Sequence, residues 1–256
     1  MSAGSPVIDP TAKIGKDVKI GPWTVIGPEV EIGDGSEIAS HVVIKAHTRI
    51  GKNNRIFQFA SVGEDPSDKK YQGEASTLEM GDNNIVREGA TLHRGTEVGG
   101  GVTRIGSDNL FMPYTHVAHD CIVGNHTIFS NNAAISGHVV VEDWAILSGY
   151  AGVYQFLRVG AHSFIGGLTH INMDVPAFVI VKGNPPAPRG VNITGLERRG
   201  FSKDAIKAIR TGYKLLYRQG LKVEEALQEM EKLASEHAEL KLLINSVKAS
   251  QKGILR

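Results

Sequence analysis

The sequence predicts a mainly-β protein: a parallel β-helix of hexapeptide repeats, followed by a small α-helical C-terminal domain. Three observations predict it. From Ile105 to Ile171 every sixth residue is aliphatic or Phe (Ile105, Phe111, Val117, Val123, Phe129, Ile135, Val141, Leu147, Val153, Val159, Ile165, Ile171), a spacing that fits neither an α-helix nor a lone strand. The fifth place of the repeat is small at Thr115, Cys121, Thr127, Ala133, Ala145, Ala151 and Ser163. After Asp174 the period stops, and apolar residues return at spacings of three and four. A single hexapeptide cannot bury its apolar side, whereas stacked coils share one continuous core.

The same register opens the chain. Ile8, Ile14, Ile20 and their successors to Val62 are six apart, and Gly follows several of them, as at Gly15, Gly21, Gly27, Gly33, Gly51 and Gly63. Those glycines suit tight corners, where a positive φ or a close-approaching coil would penalise a side chain. From Glu64 to Thr77 there is no period, so this stretch reads as a polar loop leaving the prism; insertions in solenoids collect on binding faces. Met80, Val86 and Leu92 resume the repeat, and Gly99, Gly100 and Gly101 read as a flexible excursion. Beyond Asp174, Pro176, Pro185, Pro186 and Pro188 predict an irregular extended connection. Ser202 and Gly220 then bound a helix with the apolar stripe Ile206, Ile209, Tyr213 and Leu216. Residues 222–250 carry one or two further amphipathic helices. The division is a β-helix over 1–190 with an inserted loop at 64–77, and an α-helical domain over 191–256.

Bulk properties exclude several function classes. In 256 residues, 28 basic side chains face 27 acidic ones, so no overall field favours nucleic acid or a membrane surface. No apolar run is long enough to span a membrane, and the first residues lack a basic segment followed by an apolar one, so no secretory signal is expected. The single Cys121 excludes an internal disulfide and fits a cytoplasmic location, with its expected role a small core residue.

Three hexapeptides close one coil, so residues 18 apart stand above one another. That places His119, Gly137 and Gln155 in one column and Asp120 below His138 in the next. A base, a bare backbone and an amide thus share one corner, with a carboxylate adjoining the base. A lone histidine in a solenoid is ordinarily structural; the column gives His119 its weight. On the first C-terminal helix, Lys203, Lys207, Arg210, Lys214 and Arg218 form a second stripe, with no acid among them. For an anonymous helix this is simply a solvated face.

HVAHDCIVGN around His119, SNNAAISGHVVV around His138, IFQFASV from Ile56, LHRGT at His93 and GVNITGLERRGF from Gly190 resemble the UDP-N-acetylglucosamine acyltransferase family that opens lipid A synthesis. The similarity runs over essentially the whole length. The resemblance implies a left-handed helix, against the usual right-handed crossover rule, and a homotrimer with active sites between subunits. A convex prism gains a cleft only when a second copy supplies the other wall, with the loop carrying Asp68 and Lys70 reaching across. The implied reaction moves a 3-hydroxyacyl chain from acyl carrier protein to the glucosamine 3-position of the UDP-sugar. No cofactor is implied beyond the 4'-phosphopantetheine that arrives on the carrier.

By the same resemblance His119 is the general base, Asp120 sets its tautomer, and the Gly137 N–H receives the oxyanion. His93, His116, His138 and Gln155 match sugar, pantetheine or supporting positions, and Asn192, Arg198 and Arg199 the nucleotide end. Gly149, Gly167 and Pro185 match the acyl-chain pocket. Gly167 and Pro185 leave the groove open, so a long chain is expected. The acidic carrier would dock on the Lys203–Arg218 stripe. The chain departs from the family at Thr194, where a Glu is expected, and at Tyr154, where a His is. Two other functions fit the fold: a γ-carbonic-anhydrase-like zinc enzyme using His116, His119 and His138, and a non-catalytic solenoid scaffold. The related N-acyltransferase is expected to carry an extra N-terminal domain, whereas here the repeats begin at Ile8.

Overall fold

The computed structural model describes residues 4–256. Short strands, most of them two residues long, wind into three parallel sheets that form the faces of a prism. The first face has nine strands, from Val7–Ile8 to His170–Ile171, and the second has eight, from Lys13–Ile14 to Arg158–Val159. The third has ten, starting at Lys19–Ile20. Val7 pairs with Val25 and His116 with Ala134, so one coil advances the chain by 18 residues, as the hexapeptide count requires. Every residue of the Ile105 to Ile171 register is buried. Phe111 and Phe129 stack in the core with ring centroids 5.0 Å apart. In the first coil Ile8 and Ile14 stay 39% and 37% exposed, because only one neighbouring coil covers them.

At the corners the second of the two expected reasons for glycine prevails. Of the corner glycines Gly15, Gly21, Gly27, Gly33, Gly51 and Gly63, only Gly63 has a positive φ. At Gly21, by contrast, an added Cβ would meet the Ser40 backbone nitrogen at 2.5 Å, so close approach of the next coil explains the residue. The left-handed positions fall two residues further on, and non-glycine side chains fill most of them: Asp120, His138 and Phe156 at the first corner, His126, Trp144 and His162 at the second, Trp23, His41, Phe59, Tyr114, Tyr150 and Leu168 at the third. Each such residue costs about 1–2 kcal/mol of backbone energy, offset at the aromatic ones of the first two corners by stacking on neighbours in adjacent coils. His126 lies on Trp144 at 4.1 Å, for example. Inside the second corner Asn54, Asn84, Asn109 and Thr127 form a buried polar ladder: the Asn84 amide donates to Asn54 Oδ1 at 3.1 Å, and Thr127 Oγ1 donates to Asn109 Oδ1 at 2.7 Å. It satisfies carbonyls of the turns that no strand partner reaches.

The connection after Asp174 is more ordered than its prolines suggest. Val179–Lys182 continues the third face in parallel and Ala187–Val191 returns antiparallel to it. Pro188 is tolerated because that strand lies at the sheet edge. Four helices follow: α1 (Ile193–Arg198), α2 (Lys203–Tyr217), α3 (Val223–Leu233) and α4 (Leu240–Lys248). Ser202 Oγ caps α2 by accepting the Ala205 N–H at 3.1 Å, and Ile206, Ile209, Tyr213 and Leu216 are buried. The C-terminal segment folds back on the top of the prism, where the Leu255 N–H donates to the Asp174 carbonyl at 2.8 Å and Ser250 Oγ to Asp174 Oδ2 at 2.7 Å.

Candidate active site

The first corner gathers the chemistry. The turn between His116–Val117 and Ile122–Val123 holds His119 and Asp120. The left-handed conformation of Asp120 (φ 61°) brings its carboxylate beside the preceding imidazole. The Nδ1–H of His119 donates to Asp120 Oδ2 at 2.8 Å, so Nε2 is the free, basic nitrogen. That edge of the ring faces Gly137 one coil above, where an added Cβ would meet His119 Cε1 at 2.5 Å and Nε2 at 2.7 Å. A side chain there would displace the base. The Gly137 N–H donates to no protein acceptor among the described residues.

Around this pair lie more imidazoles. His138 sits edge-on to His119 with centroids 5.2 Å apart and stacks flat on Phe156 at 4.4 Å; its Nε2 is 3.6 Å from Asp120 Oδ2. His93 and His116 meet edge to face at 4.9 Å, and His116 Nδ1 bonds Thr91 Oγ1 at 2.8 Å. Burial, helped by the charges of His93 and His119, lowers the pKa of His116 to about 4. Burial also lowers His93, opposed by Glu64, and His138, opposed chiefly by Asp120 and weakly by Asp68. These three are therefore neutral hydrogen-bonding groups near pH 7. Burial pushes the Cys121 thiol up to about 12, leaving it the inert core residue expected.

The other expected residues spread over the prism. Asp68 is half-buried and Lys70 exposed in a loop tethered by Arg94, which is 6% exposed. Its guanidinium donates to the Ala46 and Gly63 carbonyls (3.2 and 3.1 Å), to Tyr71 Oη (3.1 Å) and to Asp65. The charge of Asp68 weakly opposes the lowering of the His138 pKa. Gln155 is exposed above Gly137. Gly149 and Gly167 stack at the third corner, where an added Cβ on Gly167 would meet the Gly149 carbonyl at 3.3 Å. Pro185 is in the hairpin turn nearby, tied down by the Gly183 N–H donating to Thr169 Oγ1 at 3.2 Å.

Asn192, Arg198 and Arg199 belong to the second corner. The Asn192 side chain caps α1 and donates to the His162 carbonyl at 3.0 Å. Arg199 lies 5.1 Å over the Trp144 ring and donates to the Trp144 carbonyl at 3.1 Å, while Arg198 is exposed. The stripe Lys203, Lys207, Arg210, Lys214 and Arg218 is exposed along α2, and none of these cations has a carboxylate partner among the described residues. A cavity of about 390 Å³ runs from His138 and Phe156 past Val140 and Arg158 to Gln251 and Lys252, linking the first corner to the helical end.

Sequence reasoning passed over Thr96, Arg94 and Phe156. The first two lie in LHRGT, whose signal was present, but their role depends on which coil the loop touches. His119, Asp120 and His138 present ligand atoms within 4.8 Å of one another. His116, proposed for a zinc site, instead has its Nδ1 engaged by Thr91.

Known proteins resemble the chain throughout. The family model described as Udp N-acetylglucosamine O-acyltransferase, domain 2, matches residues 174–255, and the bacterial transferase hexapeptide model matches 11–46 and 103–137. The acyl-[acyl-carrier-protein]–UDP-N-acetylglucosamine O-acyltransferases of Stutzerimonas stutzeri and Ectopseudomonas mendocina are each 54% identical over 98% of this chain and 97% of theirs. Among solved structures, LpxA from Acinetobacter baumannii superposes with a TM-score of 0.96 at 48% identity, covering 98% of both chains. The UDP-N-acetylglucosamine acyltransferase of Francisella novicida has a TM-score of 0.96 at 44% identity, covering 98% of this chain and 92% of that one. The prism is accordingly a left-handed parallel β-helix. Identity at this level along nearly the full length of both chains makes this protein a member of the UDP-N-acetylglucosamine O-acyltransferase family.

Proposed function

We propose that the chain transfers a 3-hydroxyacyl group from acyl carrier protein to the 3-hydroxyl of UDP-N-acetylglucosamine, the first step of lipid A biosynthesis, with His119 as general base. One observation carries the chemistry: Asp120 fixes His119 so that Nε2 points outward beside the unpaired N–H of Gly137. As the sugar hydroxyl attacks the thioester carbonyl, Nε2 takes its proton, and the N–H stabilises the oxyanion of the tetrahedral intermediate. Collapse of that intermediate breaks the C–S bond, and the pantetheine thiolate leaves with the proton held on His119. No acyl-enzyme forms.

The working unit in this reading is a homotrimer. His119, the Gly149–Gly167 pocket and the Asn192–Arg199 cluster stand on three different corners of a convex prism, so one chain cannot wall them into a single cleft. The third corner also exposes Trp23, Phe59, Tyr114, Tyr150 and Leu168 at 58–70%, an apolar ridge that a second copy would cover. Asp68, Lys70, His93, His116, His138 and Gln155 would hold the sugar and pantetheine, and Arg198 and Arg199 the nucleotide phosphates. The cavity from His138 toward Lys252 suits the pantetheine arm. No helix among the described residues is long and apolar enough to cross a membrane, and a free, buried Cys121 suits the cytoplasm.

The purified protein is expected to release thiol from 3-hydroxyacyl carrier protein only when UDP-N-acetylglucosamine is present, favouring long chains because Gly167 leaves the groove open. Preference for the 3-amino analogue of the sugar would overturn the acceptor, and preference for a short chain the open groove. Docking is tested separately by Arg210→Glu with Lys214→Glu. Reversing two exposed cations on the carrier's approach should lower kcat/KM for the carrier about ten- to a hundredfold and flatten its salt dependence, with UDP-sugar binding unchanged. Unaltered use of the carrier at low salt would return the stripe to a solvated helix face.

A further inference from the structure

We propose that Thr96 is a positioning residue for the His119–Asp120 pair, acting through the carboxylate. The inference deepens the general-base reading and rests on it. The Asp120 side chain is 1% exposed, and a carboxylate that buried needs donors on both oxygens. Thr96 supplies two of the three side-chain contacts within hydrogen-bond length: its N–H donates to Oδ1 at 2.7 Å and its hydroxyl to Oδ2 at 2.6 Å. The third is His119 Nδ1–H on Oδ2. His138 stands too far from Oδ2, at 3.6 Å, to replace either. Without the Thr96 hydroxyl Oδ2 keeps only His119 as donor, so the carboxyl plane is held less firmly and the tilt of the imidazole with it.

The surrounding turn is built for this contact. Thr96 is 4% exposed and caps a short 3-10 turn, Glu97–Gly99, with its Oγ1 accepting the Gly99 N–H at 3.2 Å. A Cβ on Gly99 would fall inside the Asp120 carboxyl group. Gly100 and Gly101, with φ of 93° and 78°, reverse the chain so that the Gly101 N–H closes on the Thr96 carbonyl at 2.7 Å. From below, Thr103 Oγ1 accepts the Asp120 N–H at 2.8 Å. Gly99 thus fits against the Asp120 carboxylate and Gly100 and Gly101 supply the turn that returns the chain, where the sequence suggests slack.

The test is a set of double-mutant cycles on the assembled enzyme. Thr96→Val keeps the shape and removes the hydroxyl; it should lower kcat about ten- to a hundredfold, the worth of a charge-assisted hydrogen bond, with KM for the UDP-sugar little changed. Thr96→Ser should restore most of the loss. In an Asp120→Ala background Thr96→Val should add almost nothing, because residues acting through one another are not additive. Gly99→Ala probes the carboxylate from the other side: it should lower kcat in the native background and be tolerated once Asp120 is Ala, where the methyl has room. Equal losses in both backgrounds, or native turnover in Thr96→Val and Gly99→Ala, would overturn the inference. His119→Ala run in parallel separates the two claims, since native turnover there would remove the base itself, whatever Thr96 does.

Discussion

His119→Ala is expected to lower turnover about 10²–10⁴-fold, the range for a positioned general base, while subunit assembly and UDP-sugar binding are retained. The imidazole is held at both ends. Asp120 fixes Nδ1, and the Gly137 backbone, which leaves no room for a side chain, borders Nε2. Alanine removes the proton acceptor and leaves the coil intact, because the strands on either side pair through their backbones. His138 cannot take over: its ring is stacked on Phe156, and burial disfavours its protonated form. Steady-state acyl transfer, with calorimetric titration of the UDP-sugar, separates the two effects. Native turnover in the variant would sink the mechanism.

Phe111→Ala should remove about 3–5 kcal/mol of stability, the usual cost of emptying an aromatic site in a core that cannot collapse. Phe111 is fully buried, and its ring rests on Phe129 in the next coil. Its strand pairs with Ile85–Val86 below and Ile128–Phe129 above, so the coil spacing is set by hydrogen bonds and cannot shrink to fill the hole. The midpoint of denaturant unfolding, compared at one protein concentration because assembly shifts it, gives the value. A loss below about 1 kcal/mol would mean that the prism repacks more freely than its ladders suggest.

The repeat was legible because burial in a prism depends on position modulo six, and Ile, Val, Leu and Phe cannot stand elsewhere without exposing apolar surface. Counting by eighteens therefore placed His119 beneath Gly137 and Asp120 beneath His138. What stayed hidden depends on events outside the period. Of the two reasons expected for the corner glycines, close coil approach accounts for Gly21, while the left-handed conformation is taken mostly by other residues such as Trp144, which stacks between His126 and His162. The hairpin over Val179–Val191 was masked by its prolines, which an edge strand accepts. Gly99 to Gly101 looked slack because the carboxylate that Gly99 packs against, Asp120, belongs to the next coil corner rather than to the local sequence. Arg94 tethers the polar loop from the coil beyond it, and no local pattern reveals that. Asn192 and Arg199 were assigned to a nucleotide on kinship; their contacts with His162 and Trp144 also give them a part in joining α1 to the second corner.

The 18-residue step of the ladder bears on how the chain reaches its native state. In most β-rich proteins strands wait for partners far along the chain, and the entropy of closing those loops slows assembly. Here Val7 needs only Val25, and the longest step, across the polar loop, joins Ser61 to Thr91. Pairing can then proceed as a zipper from the N terminus, each new coil adding to the one before it in the order of synthesis. The contacts of Asp174 with Ser250 and Leu255 span the four helices and close only after residue 255 has been made. A nascent chain not yet extended to Ser250 would thus hold a formed His119–Asp120 corner under an unfastened top.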